Sequence, residues 1–247
     1  MTRTAIIAAM PGELKPLVHG WRRKRRNGVD LWRWRFDQGE WIAACAGAGV
    51  EAATRAFAEV ERAFAEAEKA SPVDLVISAG WAGALNEELK PGRAYFVSGV
   101  IDARSGERFR PAIWHEERWL ATSPKVAGAA EKQRLAAAYG AGLVDMEAAG
   151  IARLAQMRGI PFYCVKGISD GYGDKLPDFN RFILADGRFR TIPFIFFALV
   201  RPWYWLALMR MGENSRRAAQ SIKEAILDLL DERATTRERN GYPDLRR

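Results

Sequence analysis

Short apolar runs, bounded by glycine or proline, alternate along this chain with segments of helical composition, and that alternation constrains the fold more than any other feature. The runs are Thr4 to Ala9, Trp41 to Cys45, Val73 to Ser78, Ala94 to Ile101, Gly142 to Val144 and Phe162 to Lys166. Between them lie predicted helices over Glu13 to His19, Val50 to Ala67, Ala127 to Tyr139 and Met146 to Arg158. The second of these is alanine-rich with charges spaced i,i+4, a strong helical pattern. Leu31 to Phe36 and Trp41 to Cys45 flank Asp37-Gln38-Gly39-Glu40, which reads as a hairpin turn. Strands alternating with helices, some of them in hairpins, predict an α/β chain with three layers, α/β/α, around a mixed central sheet. A length of 247 residues suffices for one such domain with a full core. No linker divides it, so 1–231 reads as one domain and 232–247 as a polar, fraying tail.

Composition narrows the function classes. The chain has two cysteines, Cys45 and Cys164, both in predicted strands, and two distant histidines, His19 and His115. That pattern predicts buried thiols in a reducing compartment and no metal site or cofactor. The apolar start, Ala5 to Met10, is short for a secretory leader. The formal charge of +8 permits nucleic-acid binding without requiring it. Its main cluster, Arg22 to Arg26, reads as a solvated loop and not as a binding patch, so no nucleic-acid partner is expected.

Three carboxylates stand at or just beyond strand ends: Glu13 after the first strand, Glu147 after Gly142-Leu143-Val144, and Asp170 after Phe162 to Lys166. Ligands of open α/β sheets bind at the carboxyl ends of strands. One acid can protonate a leaving group while another activates water, and a carboxylate can accept two sugar hydroxyls. Cleavage of an N-glycosidic bond through an oxocarbenium-like transition state needs that combination. No phosphate loop, dinucleotide fingerprint or Gly-x-Ser-x-Gly elbow competes with it.

Five motifs in order carry a resemblance. They are Ala8-Ala9-Met10-Pro11-Gly12-Glu13, Ala46-Gly47-Ala48-Gly49-Val50, Ser78 to Leu85, Val144-Asp145-Met146-Glu147-Ala148 and Ile168-Ser169-Asp170. Over about Ala5 to Asp170 the chain resembles the purine nucleoside phosphorylase and nucleosidase superfamily, and within it the methylthioadenosine/S-adenosylhomocysteine nucleosidases. The resemblance implies that Asp170 protonates N7 of the purine, Ser169 holds that acid, and Glu147 binds the ribose hydroxyls with Met146 against the sugar. It further implies that Glu13 activates the attacking water and that the turn with Gly80 and Trp81 contributes to substrate binding. Trp81 stands where the phosphorylases carry a serine, and a glutamate fills the first loop, so water is favoured over phosphate as nucleophile. The aromatic that stacks on the base in the nucleosidases has no counterpart near Ser123-Pro124-Lys125. A homodimer in the cytoplasm is the expectation the family brings.

Thr191 to Met211 is apolar and aromatic, split by Arg201-Pro202 into halves too short to span a membrane. Two short helices joined at the proline are predicted, followed by an amphipathic helix from Ser215 to Leu230 with Ser215 as its cap. Core or dimer packing is the first reading of the apolar stretch, and an apolar channel or peripheral membrane contact the second. This stretch, with Lys175-Leu176-Pro177 and Asp186-Gly187-Arg188, is similar to the hopanoid-associated phosphorylases, which implies an adenosyl lipid as the alternative substrate; a non-catalytic nucleoside-binding relative is a further alternative.

Overall fold

The computed structural model describes residues 2–37, 39–67, 73–112 and 116–239, with the backbone alone at 67 and 234–239. In chain order the elements of the first half are β1 (Thr2–Ala8), α1 (Pro11–Leu14), β2 (Arg22–Arg26), β3 (Val29–Phe36), β4 (Gly39–Cys45), α2 (Val50–Ala67), β5 (Leu75–Ala84), β6 (Ala94–Phe96) and β7 (Gly99–Asp102). The second half adds β8 (Arg108–Phe109), β9 (Trp119–Thr122), α3 (Ala129–Tyr139), β10 (Leu143–Asp145), α4 (Ala148–Arg158), β11 (Phe162–Asp170), α5 (Thr191–Leu199) and α6 (Trp205–Arg239).

The strands form one mixed sheet in the order β2-β3-β4-β1-β5-β10-β9-β7-β8, with β11 paired to β5 and β6. Parallel pairs β4-β1, β1-β5 and β5-β11 make its centre, and antiparallel pairs lie at β2-β3, β3-β4, β5-β10, β6-β11 and β7-β8. Strand alternation sends successive side chains to opposite faces. Ala5, Ile7, Ile42 and Val76 therefore pack under Phe57 of α2 and Ile151 of α4. Ile6, Leu75, Ile77 and Val165 pack on the other face against Ile222 and Ile226 of α6. This is the three-layer α/β/α arrangement that the strand–helix alternation predicts.

Several elements differ from the sequence expectation, among them the run Ala94 to Ile101, which is two strands, β6 and β7. Arg22–Arg26 is an edge strand and not a loop: Arg23 pairs with Asp30 and Arg26 with Glu59 and Glu66, so cross-strand and cross-layer charges hold it extended. A charged edge of this kind also discourages pairing with another chain. The glycine run after Ser78 is not a loop either. It continues β5 to Ala84, because β11 pairs along it from Val76 to Gly83 and β10 adds at Gly83 and Ala84. Helix α1 ends at Leu14, since Pro16 offers no N–H to extend it. Finally, α6 runs unbroken from Trp205, so Ser215 is a buried interior residue and not a cap, and the helix passes Leu230 to reach Arg239. The expected break at Arg201-Pro202 is present as a short 3-10 turn, Pro202–Tyr204. Gln38, His115 and 240–247 lie outside the described residues.

Candidate active site

Glu13 lies in the single turn that follows β1. The β1–α1 corner wraps its carboxylate in backbone donors: Oε2 accepts the N–H groups of Ala9 at 2.8 Å and Met10 at 2.7 Å, and Oε1 accepts that of Trp81 at 2.8 Å. Burial raises its pKa, against the three N–H groups and the nearby Lys166 ammonium, which lower it. Gly80 makes the approach possible. At φ +139 it sits where side chains rarely go, and a Cβ there would lie 2.9 Å from Glu13 Oε1.

The β10–α4 junction places the second group. Asp145, at the end of β10, accepts from Thr122 Oγ1 at 2.7 Å and from the Ala148 N–H at 2.9 Å, and pairs with Lys166 Nζ at 2.9 Å. Both members of that ion pair are fully buried. Glu147 occupies the cap position of α4, and its Oε1 accepts the Gly49 N–H at 2.8 Å, tying it to the glycine loop before α2. Burial pushes the Glu147 carboxyl well above its ordinary range; Asp145 adds to the rise and Lys166 opposes it. For Lys166, burial works against the charge, but Asp145 outweighs it and the amine stays above the usual lysine range.

The third group sits on a bulge. The register of β11 against β5 shifts between Ile168 and Asp170, so that Asp170 faces Gly83 and closes the strand instead of following it. Bulges re-aim side chains, and here Ser169 is the extra residue. Ser169 Oγ donates to Asp170 Oδ1 at 2.6 Å and lies 3.3 Å from the Ala82 carbonyl. The other oxygen, Oδ2, is paired with Lys132 Nζ at 2.5 Å, which also donates to the Gly171 carbonyl at 2.6 Å. Lys132 comes from α3 and is buried.

All three acids line one cavity of about 990 Å³, together with Trp81, Met146, Ser169 and Lys132. Gly80 lies behind it, against Glu13. Trp81 holds two elements together: its indole N–H donates to the Ser215 carbonyl of α6 at 2.9 Å, and its ring lies against Gly12. The outer part of the cavity is apolar, with Phe179, Phe189, Phe194, Leu208 and Met211 on its wall. Besides Trp81, the aromatic side chains that reach the site therefore come from beyond Asp170, and none comes from the Ser123-Pro124-Lys125 segment. Asn180 secures that segment, bonding the Val126 N–H at 2.8 Å and its carbonyl at 3.0 Å. Among the described residues no group of His, Cys, Asp and Glu could hold a metal ion. Cys45 and Cys164 are buried and free.

Sequence reasoning missed Lys132, Lys166 and the supporting role of Asp145. A signal existed for the first: Lys132, Leu135, Ala136 and Tyr139 form one stripe of α3, and the lysine takes an inward place where an apolar residue is ordinary. Lys166 likewise interrupts an otherwise apolar strand.

The family model described as the phosphorylase superfamily matches residues 3–127 and 118–190. A search of curated protein sequences returns no match. Among solved structures, the chain is similar to a 5′-methylthioadenosine/S-adenosylhomocysteine nucleosidase from Helicobacter pylori crystallised with butyl-thio-DADMe-Immucillin-A. Identity is 18%, the TM-score is 0.68, and the match covers 94% of this chain and 99% of that one. A futalosine hydrolase of the same organism aligns at 18% identity and TM-score 0.70, over 94% and 98% of the two chains. The 5′-methylthioadenosine nucleosidase of Arabidopsis thaliana aligns at 16% identity and TM-score 0.68, over 94% and 95%. At these identities the likeness is one of fold.

Proposed function

The chain belongs to the phosphorylase superfamily, and from that premise we propose that it hydrolyses the N-glycosidic bond of an adenine nucleoside carrying a 5′ substituent, as methylthioadenosine and S-adenosylhomocysteine do. The observation that carries this reading is the convergence of Glu13, Glu147 and Asp170 on one cavity from the ends of three strands.

In this reading Glu147 accepts the 2′- and 3′-hydroxyls of ribose, with Met146 against the sugar. The Glu13 carboxylate beside C1′ favours the cationic character that builds there as the bond breaks. Glu13 orients a water on the opposite side from the base and takes its proton. A carboxylate there would repel phosphate, which favours water as the nucleophile. Asp170, held by Ser169, delivers the proton to N7 so that the base departs neutral. Trp81 forms part of the wall between the sugar and α6. The enzyme works without a cofactor, as a homodimer in the cytoplasm.

The test is incubation with methylthioadenosine, S-adenosylhomocysteine, adenosine and inosine, with and without phosphate. Free adenine in phosphate-free buffer supports hydrolysis. Release that requires phosphate would instead make the enzyme a phosphorylase. Asp170→Asn should remove turnover while still giving a folded protein by circular dichroism; an active variant would exclude Asp170 as the acid. If adenine nucleosides bind but no base is released under either condition, a non-catalytic nucleoside-binding role replaces catalysis.

A second reading has its own support. The outer cavity is walled by Phe194, Leu208 and Met211, and the same elements and the turn between them expose Phe196, Leu199, Trp203 and Leu206 to solvent. An adenosyl group attached to a lipid would place its head at the acids and its chain along that wall, with the exposed face on the membrane surface. Faster turnover of a long-chain 5′-alkyl adenosine than of methylthioadenosine would favour this substrate over the first.

A further inference from the structure

Lys132 is a buried lysine that neither its helix nor the core requires. It lies on the inward stripe of α3, one turn before Leu135, which packs on Leu85, Ala121 and Val144. An apolar residue at such a position would bury without cost, whereas an ammonium loses its hydration and needs a partner. Its partner is Asp170, at 2.5 Å. Room for the pair comes from Gly83, where a Cβ would lie 3.1 Å from both Asp170 Oδ2 and Lys132 Cε. Three segments thus adapt to one contact: the bulge in β11, the glycine in β5 and the charge in α3. Both oxygens of Asp170 are engaged, Oδ1 by Ser169 and Oδ2 by Lys132, and both Asp170 and Lys132 face the cavity.

We infer that Lys132 is the proton store behind Asp170, a positioning residue that acts on the leaving base through that carboxylate. The inference rests on the nucleosidase reading and deepens it. Asp170 as a carboxylate has no proton of its own to give. When the bond between C1′ and N9 breaks, its electron pair passes to the purine and N7 becomes basic. The Lys132 ammonium passes a proton to Asp170, and Asp170 delivers it to N7. The lysine is left as a neutral amine and regains its proton from water once the base has gone. The oxygen of the attacking water supplies the new bond to C1′ and releases its proton to Glu13, so charge and protons balance. Selectivity follows: the site favours leaving groups that need a proton to depart.

Two substrates separate this role from mere support. Adenosine needs protonation of its base, whereas 4-nitrophenyl β-D-ribofuranoside releases a stable phenolate without it. Lys132→Met should lower kcat on adenosine by about 100-fold or more, with KM changed by less than about 3-fold, and should leave the nitrophenyl riboside within about 3-fold of the wild type. Lys132→Arg keeps the charge but cannot surrender a proton, so it should lose adenosine turnover as Lys132→Met does. Equal losses on both substrates, or full adenosine activity in either variant, would overturn the proton-store role. If Lys132→Met fails to fold, the arginine variant decides alone. A wild-type protein that cleaves no nucleoside would remove the nucleosidase reading itself, and this role with it.

Discussion

Gly80 of β5 leaves room for the Glu13 carboxylate of α1: a methyl group on the glycine would press on Glu13 Oε1 at 2.9 Å. The neighbouring Trp81 N–H donates to the same oxygen. Gly80→Ala should therefore strike twice. The backbone at φ +139 resists a side chain, at about 1–3 kcal/mol. The carboxylate should also shift, and a displacement of ~1 Å can cost ~100-fold in rate. Unfolding midpoints and kcat measured together test this. A variant that loses stability but keeps full activity would separate Glu13 from the reaction.

Ser169 should matter to rate more than to binding. Its hydroxyl donates to Asp170 Oδ1 at 2.6 Å, a bond to a charged group worth about 1.5–3 kcal/mol. Ser169→Ala is expected to lower kcat by roughly 10- to 100-fold with little change in KM. A raised KM at unchanged kcat would mean that the serine binds substrate and does not hold the acid.

The three acids were legible in the sequence because each follows an apolar run and a turn or helix signal, and the order of motifs fixed their relation. What could not be read was whatever depends on pairing between distant segments. The run Ala79 to Ala84 has the glycines of a loop, yet it is strand because β11 lies along it and covers its hydrogen bonds. Arg22 to Arg26 has the charge of a loop, yet it is strand because Asp30, Glu59 and Glu66 lie within reach of its arginines. From the sequence Asp170 reads as following its strand, because a bulge has no local signature. Lys132 entered no motif, since its meaning lies in a carboxylate on another element. Helix α6 hid its length because the apolar part before Ser215 and the amphipathic part after it look like separate elements when packing partners are unknown.

Lys166 is expected to be the most expensive side chain to remove. It is buried with Asp145 at 2.9 Å, and breaking a buried pair from one side costs about 3–5 kcal/mol because the remaining charge is stranded. Lys166→Met should lower the chemical-denaturation stability by that amount. A loss below about 1 kcal/mol would show that Asp145 can be neutralised or hydrated at little cost.

Stability should depend on pH through Glu147. Burial and Asp145 raise its folded-state pKa to about 8, above the ordinary carboxylate value it has when unfolded. A raised folded pKa means that the native state binds the proton more tightly. The stabilisation is complete below the unfolded pKa and is lost as pH rises through the folded one. Glu147→Gln cannot ionise, so its Tm should gain on the wild type from about pH 5 to about pH 8 and hold its lead above that. A constant difference across this range would contradict the burial of an ionisable Glu147.

The apolar face of α5 and the start of α6 should seek a membrane. No residue of α5 is buried, and Phe196, Val200, Trp203 and Met209 are each exposed by more than three-fifths. Among the described residues no single helix is long and apolar enough to cross a bilayer, and α5 meets the following helical segment at a bend of 105°. That geometry suits a wedge lying in the interface better than a span. Exposed Arg190 and Arg210 flank the face, and each cation near an anionic surface adds about 1 kcal/mol. Because Phe194 and Leu208 of the same elements line the cavity, seating this face would bring its mouth to the lipid. The protein should therefore sediment with vesicles containing phosphatidylglycerol. Phe196→Ser with Trp203→Ser should reduce that partition by about 10-fold or more while sparing hydrolysis of methylthioadenosine. If vesicles leave the protein in the supernatant even at low salt, and the serine variant turns a dimer into a monomer, the face is the contact between two copies of the chain instead.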